Sequence, residues 1–467
     1  MPRSSRWLIA STVGLLVLLS ASSLAQPVDV VPAQDPAARQ SLNGTWRFRY
    51  QASLTPAGSD FGAAASDDKS WAPITVPGHW ELQGFAEPKY GRELEAGMGF
   101  YWRTFRVPAT WTGQRIMLRF DGVLFGFDAW VNGTQVGSWA SGYNAVTFDV
   151  TDQVKPDTDN TLALRVSTRS HGWEFDTNDC WSLSGIYRDV TLFAVPPVHL
   201  TNHTERTKLN PDGSATLSVA VETSGPGANV RGRLLAPDNM LATEFSLAPA
   251  PGGIVPNVRT LTIPAPKLWT AETPFLYTLE LTLSAPGQPD EMYTEKIGLR
   301  EVTIVDGVLQ LNGRPIKLRG VDHHDLWPDT GRATDEAKMR RDLELIQGAN
   351  CNFIRTSHYP PHPRLLELCD ELGLYVMDEV PFGFGEEHLN DQAYLPDLLT
   401  RARATVRRDA NHACVIIWSV GNENDNTPLT LATAHRVKEL DPTRPVCFPQ
   451  IGSYFAKHFT ELPPEID

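Results

Sequence analysis

Four polar clusters in the second half of the chain hold the residue types that could do chemistry. They are His323-His324-Asp325, Ser357-His358-Tyr359, Asp378-Glu379 and Asn422-Glu423-Asn424. Each follows a short apolar run; the last follows Cys414, Val415, Ile416, Ile417 and Trp418, a stretch suited to a strand covered on both faces. Carboxylates grouped with imidazoles and amides suit acid–base work on a hydroxyl-rich ring. One carboxylic acid protonates a leaving oxygen, a second carboxylate attacks or activates water, and the remaining groups hold hydroxyls, as glycoside hydrolysis requires. Glu423, at the tip of so apolar a strand, is expected to be desolvated and its acid form favoured. The sequence holds no Gly-rich phosphate loop, G-x-S-x-G, H-E-x-x-H or CxxC pair.

These clusters need a frame. From about residue 299 strands alternate with helices: strands at 316–321, 351–356, 374–379, 414–420 and 446–449, with helices through 339–346, from Pro363 to the stop at Gly373, across 396–410 and from Pro428. That rhythm predicts parallel α/β, and in a (β/α)8 barrel the strand ends gather at one mouth. Residues 26–198 instead read as all-β, with runs such as 115–123, 127–131 and 160–168 and an Asn132-Gly133 hairpin signal. A two-layer sandwich is expected there. Residues 199–297 form a second β unit; Leu217, Val219 and Val221 share one face, as do Tyr277, Leu279, Leu281 and Leu283, suiting an immunoglobulin-like sandwich.

Composition bounds the partners. Lys+Arg 41 against Asp+Glu 55 gives a net charge of −14 with no long block of like charge, which argues against nucleic acid and anionic membrane. Residues 1–25 read as a secretory signal peptide: Arg3 and Arg6, an apolar stretch, then Ser23-Leu24-Ala25 before Gln26. The mature chain is therefore expected to be exported, periplasmic or secreted, with no membrane contact after cleavage. The five Cys give no disulfide framework, and Cys180 is expected to be the most exposed.

The segments 100–108, 120–137, 180–190, 311–325, 354–379 and 416–424, in that order, resemble the signatures of glycoside hydrolase family 2, in its β-galactosidase-like branch. The resemblance covers nearly the whole mature chain. It implies a jelly roll over 26–198, an immunoglobulin-like β-sandwich over 199–297, the N-terminal part of a (β/α)8 catalytic barrel over 298–467, and exo-acting retaining hydrolysis of a terminal β-linked sugar. Carried over residue by residue, it makes Glu423 the general acid/base and Asn422 the contact to a ring hydroxyl. It makes His324, His358 and Asp179 substrate-binding, with Arg355 and Glu379 a supporting charge network. The family's nucleophile is a Glu on a later strand. Glu461 and Glu465 lie in "TELPPEID", which has no apolar strand, so the nucleophile is expected beyond residue 467 and this chain alone is expected to be inactive. No cofactor is expected: "DEVPFGFGEEHL" puts Phe384 and Gly385 where the family places magnesium ligands, with Glu386, Glu387 and His388 further on, and this puts magnesium in doubt. β-Galactoside leads; β-glucuronide, β-mannoside and a non-catalytic carbohydrate-binding protein are the alternatives. The full-length form is open to homo-oligomer formation.

Overall fold

The computed structural model describes residues 26–55, 71–247 and 257–449. The signal-like segment, Glu461 and Glu465 lie outside the described residues.

The first unit is a sandwich of two antiparallel sheets. One has six strands in the order Ala72–Val76, Gly44–Gln51, Met98–Arg106, Asp159–Ser167, Phe127–Val131, Thr134–Trp139. The facing sheet has four, in the order Arg39–Ser41, Val190–Val195, Arg115–Phe120, Val146–Asp149. Alternation drives the layering: Phe127, Ala129 and Val131 point inward with Leu162, Leu164 and Val166 of the neighbouring strand, and Leu118 and Phe148 meet them from the other sheet. Asn132 and Gly133 have φ 49° and 82°, the left-handed pair the hairpin turn requires.

The second unit packs a three-stranded sheet (Leu200–Leu209, Ala215–Thr223, Asn257–Ile263) on a four-stranded one (Leu241–Leu247, Asn229–Leu235, Tyr277–Ser284, Glu291–Ile297). Leu217, Val219 and Val221 meet Leu279, Leu281 and Leu283 in its core.

After a small antiparallel sheet over 302–315, the third unit is a parallel sheet whose spatial order follows the sequence: β1 Gly320–His323, β2 Phe353–Thr356, β3 Tyr375–Val380, β4 Val415–Val420 and β5 Val446–Cys447. Helices α1 Glu336–Gly348, α2 Pro363–Leu372, α3 Leu395–Asp409 and α4 Pro428–Leu440 connect them. Sequential parallel order with a helix between successive strands makes it part of a (β/α)8 barrel. The first strand begins at Gly320 rather than near residue 316, because the Asn352 side chain donates to the Lys317 carbonyl and accepts from the Arg319 N–H, holding that stretch as a loop. Asp335 caps α1 by accepting from the Lys338 N–H; α2 opens with Pro363 and ends at Gly373, φ 78°. Every residue of β4 is buried.

The units are stitched by charge as well as apolar contact. Arg401 of α3 pairs with Asp176 of the first unit, both side chains essentially excluded from water. Arg188 reaches from the sandwich to the Pro360 carbonyl (3.0 Å) and to Asp325 beyond β1 (3.4 Å). Arg407 pairs with Glu222 of the second unit at 2.8 Å. Cys180 is buried, contrary to expectation, because Arg332 from the β1–α1 loop packs its Nη2 2.8 Å from the thiol sulfur.

Candidate active site

The C-terminal ends of β2, β3 and β4 bring four of the singled-out residues together. Glu379, fully buried at the end of β3, is the hub. Its Oε2 accepts from Arg355 Nε (2.8 Å) and Ser419 Oγ (2.7 Å), and its Oε1 lies 2.8 Å from His358 Nδ1. A carboxylate this far from water needs donors on both oxygens, and it has them. Arg355 then passes the network on, its Nη2 donating to Asn422 Oδ1 at 2.8 Å. With that oxygen occupied, the Asn422 Nδ2 hydrogens are the ones able to meet a ligand. His358, with Nδ1 turned to Glu379, keeps Nε2 for the same purpose.

The loop after β4 is built tightly. Gly421 has φ 71°, and a Cβ there would stand 2.5 Å from Asn424 Oδ1 and from the Phe382 ring, so only glycine fits. The Asn424 side chain accepts from the Asn422 N–H (3.0 Å) and donates to the Gly383 carbonyl (2.7 Å). Between these clamped amides Glu423 takes φ 55°, rare for a non-glycine residue, and its N–H donates to the Pro449 carbonyl at 2.6 Å. Its carboxylate is exposed and bonds to no described residue. Desolvation of this acid, expected from the apolar strand, is therefore absent among the described residues. The left-handed step turns the side chain out of the sheet, and β5 beside it pairs over only Val446 and Cys447.

The β1 cluster divides. His323 is tied to Asp342 of α1 (3.1 Å), and Asp325 accepts from the His362 N–H at the start of α2 (2.7 Å). His324 faces His358 edge-on, ring centroids 5.6 Å apart, with Nδ1 3.3 Å from the Tyr359 hydroxyl. Burial, helped by the Arg332 charge, pulls its pKa down to about 3, so it is a neutral hydrogen-bonding ring at physiological pH.

Asp179 is exposed, on the sandwich loop that overlies the barrel loop after β3. Gly383 and Phe384 donate their N–H groups to the carbonyls of Phe175 (2.9 Å) and Thr177 (3.2 Å) of that loop. Thus Asp179 is two residues from Thr177, which holds Phe384, and four from Phe175, which holds Gly383, the residue whose carbonyl accepts from Asn424.

Sequence reasoning missed Ser419, Arg332 and Arg188, and it named Asn424 without giving it the clamping role it has. Ser419 alone carried a signal, as the single polar residue in an otherwise apolar strand.

Magnesium does not fit the loop after β3. Gly383, Phe384 and Gly385 offer no side-chain donor, and Phe384 lies under Arg92 at 5.9 Å. Glu174, Glu387 and His388 bring ligand-type atoms within 4.8 Å of one another, but Arg92 already pairs with Glu387, and His388 Nε2 stands 3.4 Å from Glu174. No step is routed through a metal.

Two β-sandwiches precede a parallel barrel sheet that gathers acids and imidazoles at its strand ends, and it is that site, not the fold alone, that bears on function. Residues 39–196 match the sugar binding domain of glycosyl hydrolases family 2, residues 198–300 match the family 2 domain that follows it, and residues 302–462 match the family's TIM barrel domain. The chain belongs to glycosyl hydrolases family 2. It is 35% identical over 440 residues to a β-galactosidase of Vibrio cholerae, covering 87% of this chain and 43% of that protein. It is 36% identical over 456 residues to β-galactosidase 2 of Enterobacter cloacae, covering 89% and 43%. The chain thus spans less than half the length of these curated relatives. Among solved structures it is similar to Bacteroides uniformis β-glucuronidase, with TM-score 0.78, 28% identity and coverage of 90% of this chain and 53% of that one. The fold also matches a Ruminococcus gnavus β-glucuronidase, with TM-score 0.81, 23% identity and coverage of 95% and 77%.

Proposed function

We propose that this chain carries the acid/base part of an exo-acting, retaining β-glycosidase whose substrate is a terminal β-D-galactoside. The observation that carries the reading is the clamped Asn422-Glu423-Asn424 turn at the end of β4, joined through Arg355 to Glu379 and His358. Glu423 protonates the glycosidic oxygen as the leaving group departs, then takes a proton from the water that releases the sugar. Asn422, held by Arg355, offers its Nδ2 hydrogens to a ring hydroxyl; His324 and His358 offer ring nitrogens, and Asp179 reaches in from the sandwich. The nucleophile is sought on a later barrel strand, since five parallel strands are described where a closed barrel has eight. In this reading residues 1–25 direct export, and no metal takes part.

Galactoside is preferred because the relatives named above at 35% and 36% identity are β-galactosidases. The structural likeness to a β-glucuronidase at 28% identity favours glucuronide as the second reading. Release of p-nitrophenol from β-galactoside, β-glucuronide and β-mannoside substrates separates them. In a form of the protein that turns over, Glu423→Gln is expected to cut the rate on alkyl galactosides by roughly a thousandfold, the scale of general acid catalysis. The loss should be smaller on p-nitrophenyl galactoside, whose leaving group needs little protonation. An undiminished rate on both would end the assignment, and turnover by the 467-residue chain itself would end the search for a later nucleophile. A pure carbohydrate-binding protein would keep its affinity in the same variant.

A further inference from the structure

At the seam between the sandwich and the barrel lies a groove of about 480 Å³. Leu82, Pro88, Trp181 and Leu183 form one wall, and Leu326 and Trp327 of the β1–α1 loop form the other. No residue lining it has a charged, hydroxyl or amide side chain. The Trp327 indole N–H is already given to Asp342 Oδ2 (3.2 Å), so that ring offers surface and no donor. Trp181 is 49% exposed, the one tryptophan among the exposed large hydrophobics of the described residues. Its backbone is nonetheless fixed: Arg332 Nη1 donates to the Trp181 carbonyl at 2.9 Å, and Tyr90 packs edge-on against the ring at 6.0 Å.

Both walls continue the loops that carry candidate sugar contacts. Trp181 follows Asp179 by two residues and Trp327 follows His324 by three, a reach of at most about 10 Å of chain. A ligand whose sugar sits among Asp179, His324 and His358 would therefore extend its other end toward this groove.

We propose that the groove receives an aromatic, apolar leaving group, so that the substrate class is β-glycosides of aromatic aglycones rather than disaccharides. A second pyranose would find only the Trp181 indole N–H and backbone groups to pair its several hydroxyls with, and stripping water from the rest is unfavourable. A flat apolar ring loses water to gain contact with two indoles, the favourable case. The inference rests on the glycosidase reading of the strand ends.

The test is calorimetric binding of three probes to the 467-residue chain: methyl β-thiogalactoside, 2-naphthyl β-thiogalactoside and 2-naphthol. The S-linkage prevents turnover, so no nucleophile is needed. The naphthyl compound is expected to bind at least about tenfold tighter than the methyl one, the gain from burying part of one aromatic ring. Trp181→Ala should remove most of that gain and leave methyl thiogalactoside affinity unchanged; Leu82→Glu, at the exposed rim, should do the same without opening the core. Equal affinity for the two thioglycosides, or variants that weaken both alike, would overturn the groove assignment. Binding of 2-naphthol with no gain from the attached sugar would instead strike the glycosidase reading, and this assignment with it.

Discussion

At the scale of single residues, Glu379 and Glu423 show how two carboxylates on neighbouring strands take different environments. Glu379 is enclosed by Arg355, His358 and Ser419, while Glu423 is turned outward by a left-handed backbone step. The enclosed one behaves as a structural anchor. Glu379→Gln keeps the shape but leaves Arg355 facing a neutral amide. It is expected to lower stability by about 3 kcal/mol or more, as for other buried ion pairs broken on one side. Urea denaturation checks this, and a variant of unchanged stability that no longer turns over would move Glu379 from scaffold to chemistry.

At the scale of elements, the loops after β3 and β4 act as one piece. Gly383 is the joint: its carbonyl holds Asn424, its N–H holds the Phe175 carbonyl, and a Cβ there would fall 2.0 Å from Asn178 Oδ1 and 2.5 Å from the Thr177 carbonyl. The Asn178 amide is a side-chain end that can turn aside, but the Thr177 carbonyl is backbone and cannot yield without moving the sandwich loop. Gly383→Ala should cost about 1–3 kcal/mol, the usual range for overpacking. Wild-type stability in the same denaturation assay would mean that the loops are not packed as described. The boundaries of most elements were legible because local signals and tertiary packing agree, as in Asp335 capping α1 and Gly373 ending α2. They disagreed at residues 316–319, where an apolar-charged alternation resembles a strand but the Asn352 side chain claims the backbone first.

At the scale of the whole molecule, buried titratable groups at the seam tie stability to pH. His79 of the sandwich lies 3.1 Å from the Ser184 carbonyl through Nδ1 and accepts the Arg332 N–H through Nε2 at 2.9 Å, an arrangement that needs the neutral ring. Burial, reinforced by Arg332, lowers its pKa to about 3. His324 shifts the same way. An unfolded chain titrates these rings near pH 6.5, so between that pH and about 3 it binds protons the native state refuses. The contribution of these rings to stability is then full above about pH 6.5 and falls as pH drops through the window. His79→Asn, which cannot titrate, should weaken the protein at neutral pH and weaken it less at pH 5, so that the urea midpoint at pH 5 rises relative to that at pH 7. An equal loss at both pH values would place the acid sensitivity elsewhere. No helix among the described residues is long and apolar enough to cross a membrane.

Chemical type and order along the chain were set by the sequence alone: three units, strands ending in polar clusters, and Glu423 between two amides. Those features are local, written in periodicity and in neighbouring side chains. What the tertiary structure decided was who meets whom. Arg355, Glu379, Ser419 and Asn422 converge only because three strands pair in parallel register, and the aromatic groove exists only because residues some 150 positions apart, such as Trp181 and Trp327, are brought to line one cleft. Burial also belongs to that level. Cys180 is hidden and Glu423 exposed because exposure depends on which distant segment arrives to cover a side chain, and no spacing rule carries that information.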